Sequence, residues 1–271
     1  MKDPEMHDRD REDGEAPILR ICGASKAFGG VQALEDVSFE VSQGMILGMI
    51  GPNGAGKTTL FNLISGLYPP DAGRIFFNEA EIQRLPTHQR VRMGIARTFQ
   101  NLALFENMNV LENVMVGQHV RTRCGFWGAI ARTPGVRREE AACRESALAL
   151  LDMVGLADQA LKPSADLPFG WQRLLEISRA LASRPRVLLL DEPASGLNAL
   201  ETGRLGDLIL AIRNQGITIM LVEHDMSLTM SVSDRIIVLD QGRVLASGTP
   251  EEIQTHSAVR TAYLGEHCEQ R

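Results

Sequence analysis

The stretch from Met45 to Ile64 constrains this chain more than any other. Met45 to Ile50 is an apolar run of buried-strand length, Gly51-Pro52-Asn53-Gly54-Ala55-Gly56-Lys57-Thr58-Thr59 follows at once, and Leu60, Leu63 and Ile64 then recur at helical spacing. Gly66 and the Pro69-Pro70 pair end that helix. The loop fits the pattern Gly-x-x-x-x-Gly-Lys-[Ser/Thr], in which glycines let backbone N–H groups converge on a phosphate chain. The helix adds its positive N-terminus, Lys57 a full charge and Thr58 a hydroxyl suited to magnesium. Gly51 to Thr59 are therefore expected to hold a nucleotide.

The rest of the chain fits an α/β core built on a parallel sheet. Val187 to Leu190 and Ile217 to Val222 read as buried strands flanking a helix with Leu205, Leu208, Ile209 and Ile212 on one face and Gly216 as its stop. Ile18 to Val41 alternates around Gly29-Gly30 and predicts an antiparallel hairpin layer. Residues 101–170 change to a helical pattern, including Arg138 to Val154 with Gly155 as its stop, and are expected as a helical subdomain inserted in the core. Residues 1–16 carry seven acidic side chains against Lys2, Arg9 and Arg11, the composition of a disordered acidic tail, leaving 17–271 as the folded domain.

Among 271 residues 44% are hydrophobic, 23% are charged and the net charge is -6, which disfavours a nucleic acid as the main partner. No apolar run approaches the roughly 18 to 20 residues needed to cross a bilayer, so a membrane role would have to come through a partner. Cys22, Cys124, Cys143 and Cys268 are too scattered for a disulfide framework or a zinc site, and a reducing compartment is expected.

Asp191-Glu192 closes the strand Val187 to Leu190. At the C-terminal edge of a parallel sheet Asp191 can reach a magnesium ion and Glu192 can orient an attacking water. His224 follows the strand Ile217 to Val222, where a side chain can sense a γ-phosphate. Gln100 falls where the core gives way to the helical insertion, and its amide can touch metal or water.

In order, the phosphate loop, Gln100, Leu167-Pro168-Phe169-Gly170-Trp171-Gln172, Asp191-Glu192, Ser195-Gly196-Leu197-Asn198 and His224 resemble the nucleotide-binding domain of ABC transporters, a P-loop NTPase. The resemblance spans about residues 18 to 265. Ala96-Arg97-Thr98-Phe99-Gln100-Asn101, Leu174-Leu175-Glu176-Ile177, Val222-Glu223-His224-Asp225-Met226 and Ala262-Tyr263-Leu264-Gly265-Glu266 narrow it to the ATP-binding subunits of branched-chain amino-acid importers.

That resemblance implies ATP and Mg2+ as ligands, with Glu192 and His224 catalytic and Thr58, Gln100 and Asp191 at the metal. It implies Phe28 stacked on adenine. It also implies that Pro168, Phe169, Gly170, Gln172 and Asn198 face the ATP of a second ATPase subunit, a paralogue or a second copy. Two permease subunits, and indirectly a solute-binding protein, complete the expected assembly at the cytoplasmic face of the membrane.

Two positions depart from the family pattern. Leu167-Pro168-Phe169-Gly170 replaces Leu-Ser-Gly-Gly, so backbone N–H groups rather than a serine hydroxyl would meet the phosphate. Asn198 stands where most of the superfamily has Asp. The Arg121, Arg123, Arg132, Arg137 and Arg138 cluster with Phe126 and Trp127 reads as a solvated loop, with contact to a membrane subunit or lipid headgroups as its alternative; Trp171 reads as packing, with contact to a partner or nucleotide as its alternative. Rival functions are a urea or amide importer, the ATPase of lipopolysaccharide export, or a soluble ABC ATPase. A GTPase is disfavoured because Asn-Lys-x-Asp is absent, and a small-molecule kinase would not need Gln100, His224 and the 167–172 segment in this order.

Overall fold

A computed structural model describes residues 16–98, 103–120 and 134–261. The acidic tail, Gln100 and the arginine-rich loop 121–133 lie outside the described residues.

Two sheets enclose the helix that follows the phosphate loop. Strands β1 (Leu19–Phe28), β2 (Val31–Val41), β4 (Ala72–Phe77) and β5 (Ala80–Glu81) form an antiparallel layer in the order β2-β1-β4-β5. Strands β3 (Ile46–Ile50), β6 (Ile95–Arg97), β7 (Val187–Asp191), β8 (Thr218–Val222), β9 (Arg235–Asp240) and β10 (Arg243–Gly248) form the second sheet, in the order β10-β9-β3-β8-β7-β6. From β9 to β6 all neighbours are parallel, and only β10 runs antiparallel to β9. The expected hairpin is half of the antiparallel layer. Its other half is contributed from beyond the first helix.

The central strands are buried on both faces, which explains their unbroken apolar runs. Side chains alternate between two cores with the period of 2 that a strand imposes. Leu47, Met49, Leu189, Met220 and Val222 face helix α1 (Lys57–Ser65) and the antiparallel layer, whereas Ile46, Leu188, Leu190, Ile219 and Leu221 face the helices on the other side. Leu60, Phe61, Leu63 and Ile64 of α1 are fully buried between the two sheets. At roughly 1.5–3 kcal/mol for each such side chain, this packing fixes the orientation of α1.

Short α2 (Thr87–Met93) precedes β6, and α3 (Val110–Gly117), α4 (Pro134–Met153) and α5 (Phe169–Ala182) build a separate helical core from Val110, Leu111, Val114, Leu151, Leu156, Leu167 and Leu175. Trp171 is partly buried against that core. Helix α6 (Ala199–Asn214) packs Leu205, Leu208, Ile209 and Ile212 on the sheet, and α7 (Met226–Val232) and α8 (Pro250–Thr255) close the chain's fold.

Candidate functional site

The phosphate loop is packed closely against both sheets. A Cβ on Gly51 would lie 2.1 Å from the Leu239 carbonyl of β9, and one on Gly56 would lie 2.6 Å from the Ala33 carbonyl of β2. Gly56 also has φ 102°, a left-handed conformation that only glycine adopts without strain. Gly242, in the β9–β10 turn, donates to the Ala55 carbonyl at 3.1 Å and accepts from the Glu35 N–H at 2.8 Å. The antiparallel layer, the loop and the sheet edge are thus joined by backbone contacts.

Lys57 opens α1 and is 6% exposed; its Nζ donates to the carbonyls of Gly51 at 2.5 Å and Pro52 at 3.0 Å. Thr58 is exposed and Thr59 half-buried on the first turn. At the other end of α1, Arg90 of α2 reaches the carbonyls of Leu63 and Ile64 and donates its Nε to the Leu85 carbonyl at 2.9 Å. Burial lowers the Arg90 pKa to about 10, so it remains a cation at the negative end of the helix.

Asp191 ends β7 and is 1% exposed. Its Oδ2 accepts from Arg97 at 2.7 Å, while Oδ1 is buried with no hydrogen-bond partner. Arg97, at the end of β6, also donates to Asn62 Oδ1 at 2.6 Å and Ser65 Oγ at 3.2 Å on α1. One guanidinium therefore links the phosphate-loop helix to the Asp191 carboxylate. A buried, unpaired carboxylate oxygen is a hard donor suited to magnesium. Among the described residues no group of three or more His, Cys, Asp or Glu forms a metal cage, so an ion here would complete its shell with phosphate and water oxygens.

Glu192 has φ 49°, which for a residue with a side chain costs roughly 1–2 kcal/mol and must be held by its surroundings. Its N–H donates to the Val222 carbonyl at 2.8 Å, and its carbonyl accepts from Ser195 N–H at 3.1 Å. Glu192 Oε1 lies 3.1 Å from His224 Nε2, the His224 side chain being 48% exposed and that of Glu192 16%. Two predicted residues from separate strands therefore meet side chain to side chain.

Glu223, assigned no role from the sequence, lies beneath this pair. It is 4% exposed and accepts from Ala194 N–H at 2.6 Å and His224 N–H at 3.0 Å, with Asp225 N–H at a longer 3.5 Å. Burial raises its pKa, the backbone donors oppose that shift, and the charge of Glu192 adds to it. Arg97 likewise had no assigned role. Each becomes visible only when the sheet order sets β6 beside β7 and β7 beside β8.

The 167–172 segment forms a second group. Pro168 is the N-cap of α5 and supplies no side-chain cap, Phe169 is 45% exposed, and Gln172 donates Nε2 to the Leu167 carbonyl at 3.0 Å. Phe169 covers Gly196, where a Cβ would lie 2.8 Å from its ring. Gly170 faces its own chain: a Cβ there would lie 2.6 Å from Glu201 Oε1. Asn198 caps α6 by accepting from Glu201 N–H at 3.0 Å, and Glu201 accepts from Asn198 N–H at 3.0 Å, a capping box. Phe28 stands apart at the end of β1, 42% exposed, with its ring edge-on to Tyr68 at 5.5 Å and Lys26 Nζ 5.5 Å from its centroid.

A glycine loop on a parallel strand, an acidic pair ending a second strand and a histidine after a third define an ATP-binding cassette. Residues 34–195 match the family described as "ABC transporter", and the chain belongs to that family of nucleotide-binding ATPases. Residues 243–269 match the narrower description "Branched-chain amino acid ATP-binding cassette transporter". Over 251 residues, 92% of this chain and 98% of each relative, it is 45% identical to the high-affinity branched-chain amino acid transport ATP-binding protein LivG of Salmonella typhimurium and 46% identical to BraF of Pseudomonas aeruginosa. The ADP conformation of MJ1267, an ATP-binding cassette of an ABC transporter, superposes with a TM-score of 0.80 at 29% identity, covering 93% of this chain and 100% of that one.

Proposed function

We propose that this chain is the ATP-hydrolysing subunit of an importer for branched-chain amino acids. The observation that carries the reading is the similarity to LivG and BraF along nearly the full length of both. The chemistry is assigned to the Glu192–His224 pair. A carboxylate can only accept, so the 3.1 Å contact requires the proton on His224 Nε2, and the Glu192 carboxylate held in this way can accept from an attacking water. Glu192 orients that water and takes its proton as the bond between the γ-phosphorus and ADP breaks. Lys57 neutralises β- and γ-phosphate charge, the loop N–H groups orient the chain of phosphates, and Phe28 stacks on adenine. Magnesium, held by Thr58, Asp191 and Gln100, would screen the phosphate oxygens.

In this reading a second ATPase subunit, a paralogue or another copy, presents its 167–172 segment to this chain's nucleotide, and this chain reciprocates. The closed pair drives two permease subunits fed by a solute-binding protein, with the ATPases peripheral on the cytoplasmic face. Among the described residues no helix is long and apolar enough to cross a membrane, in keeping with a subunit that reaches the bilayer through partners.

The test is reconstitution of the complex that co-purifies with this chain, assayed for ATP hydrolysis with leucine, isoleucine or valine. Hydrolysis stimulated by these solutes is expected, and Glu192→Gln should lower it ~100-fold while ATP still binds. Stimulation by urea or an amide instead would overturn the substrate, and wild-type turnover in Glu192→Gln would overturn the assigned chemistry.

A further inference from the structure

The buried carboxylate of Glu223 holds backbone. Its two oxygens accept from N–H groups on different loops, Ala194 at 2.6 Å on the loop that follows Glu192 and His224 at 3.0 Å on its own. The adjacent residue reinforces this link, since the Val222 carbonyl accepts from Glu192 N–H at 2.8 Å. Residues 192 and 194 are thereby tied at consecutive points to residues 222 and 223. Between those ties sits the left-handed backbone of Glu192, φ 49°, which aims its side chain at His224.

We infer that Glu223 is a positioning residue for hydrolysis, its carboxylate fixing the Glu192 loop against the His224 loop so that the two side chains meet. The inference rests on the proposed roles of Glu192 and His224. An acid suits this task because only an ionised carboxylate presents two acceptors and no donor. The isosteric amide has one acceptor, so its NH2 group would face one of the two N–H donors and the pair of loops would lose a tie. A carboxylate so close to the charge of Glu192 is a costly choice for mere packing, where an apolar residue would serve.

The experiment compares Glu223→Gln, Glu192→Gln and the double variant in the assembled transporter, with ATP affinity of each full chain measured alongside. Glu223→Gln should lower kcat at least 10-fold and leave ATP affinity within 2-fold, because the groups that bind the nucleotide are untouched. In the Glu192→Gln background the same change should add less than 2-fold, since a positioning residue has nothing left to position. An equal drop in both backgrounds would mean a structural role and overturn the inference. If Glu223→Gln fails to fold, Glu223→Asp is used: it keeps the charge but is one methylene too short to span both donors, and the same split is expected. Wild-type turnover in a folded Glu223 variant, with Glu192→Gln inactive, overturns this inference alone. Wild-type turnover in Glu192→Gln overturns the chemical assignment beneath it.

Discussion

Replacing Arg97 by Met tests how the acidic end of β7 is held. The Arg97 and Asp191 side chains are 7% and 1% exposed, and the guanidinium also satisfies Asn62 Oδ1 and Ser65 Oγ. Removing the cation strands a buried carboxylate without its counter-charge. Breaking a buried pair from one side costs about 3–5 kcal/mol, well above the roughly 1 kcal/mol typical of an exposed pair. A domain of this size loses roughly 2–4 °C per kcal/mol, which gives a melting temperature lowered by about 6–20 °C. The assay is urea unfolding of the full chain followed by circular dichroism, with the slope checked for constancy. Asp191→Asn in the Arg97→Met background should recover more than half the loss, because no isolated charge then remains. A single-variant cost under about 1 kcal/mol, or simple additivity in the double variant, would refute this account of the pair.

Lys57→Ala removes the buried ammonium of the phosphate loop and should weaken ATP binding by roughly 2 kcal/mol or more, read by nucleotide titration; an unchanged affinity contradicts the assignment of the loop. Gly170→Ala pushes Glu201 out of its capping box and should cost about 0.5–2 kcal/mol in the isolated chain, measured without nucleotide, whereas no loss would show that Glu201 moves freely. The Glu223 pKa is raised above its usual 4.5, so its contribution to stability is complete below that value and declines as pH climbs through the folded-state pKa. The stability of the wild type relative to Glu223→Gln should accordingly be greatest near pH 4 and fall towards pH 7, and a flat difference between the two would exclude a raised pKa.

The nucleotide loop could be read from the chain because its chemistry is contiguous: strand, glycines, lysine and helix follow one another without a break. Gly66 and Gly155 marked helix ends for the same local reason. Arg97 was out of reach because β6 is only three residues long and its partner Asp191 lies 94 positions away. Glu223 was hidden in a similar manner, as an acid after a buried strand has no meaning until β7 pairs with β8. Asn198 carries a local signal that the sequence does contain. Asn-x-x-Glu before an apolar-periodic helix is a capping box, and the structure gives its side chain that local task. Gly170 has a neighbour that only the fold reveals, Glu201 of α6, which a Cβ at 170 would meet at 2.6 Å.

The contact between Arg90 and the end of α1 bears on how this nucleotide-binding segment could be moved or redesigned. Nothing basic occupies the last turn of α1, and its final carbonyls are met from α2, across a connection that contains two strands of the antiparallel layer. Gly66 is fitted to that arrangement, since a Cβ there would lie 2.7 Å from Arg90 Nε. Residues 66 and 90 therefore form a matched pair, since any side chain at 66 would have to displace the guanidinium. A fragment covering only the glycine loop and its helix would leave that pair behind. Grafted onto another scaffold, it would carry the residues proposed to face phosphate without the distant guanidinium that meets the last carbonyls of their helix.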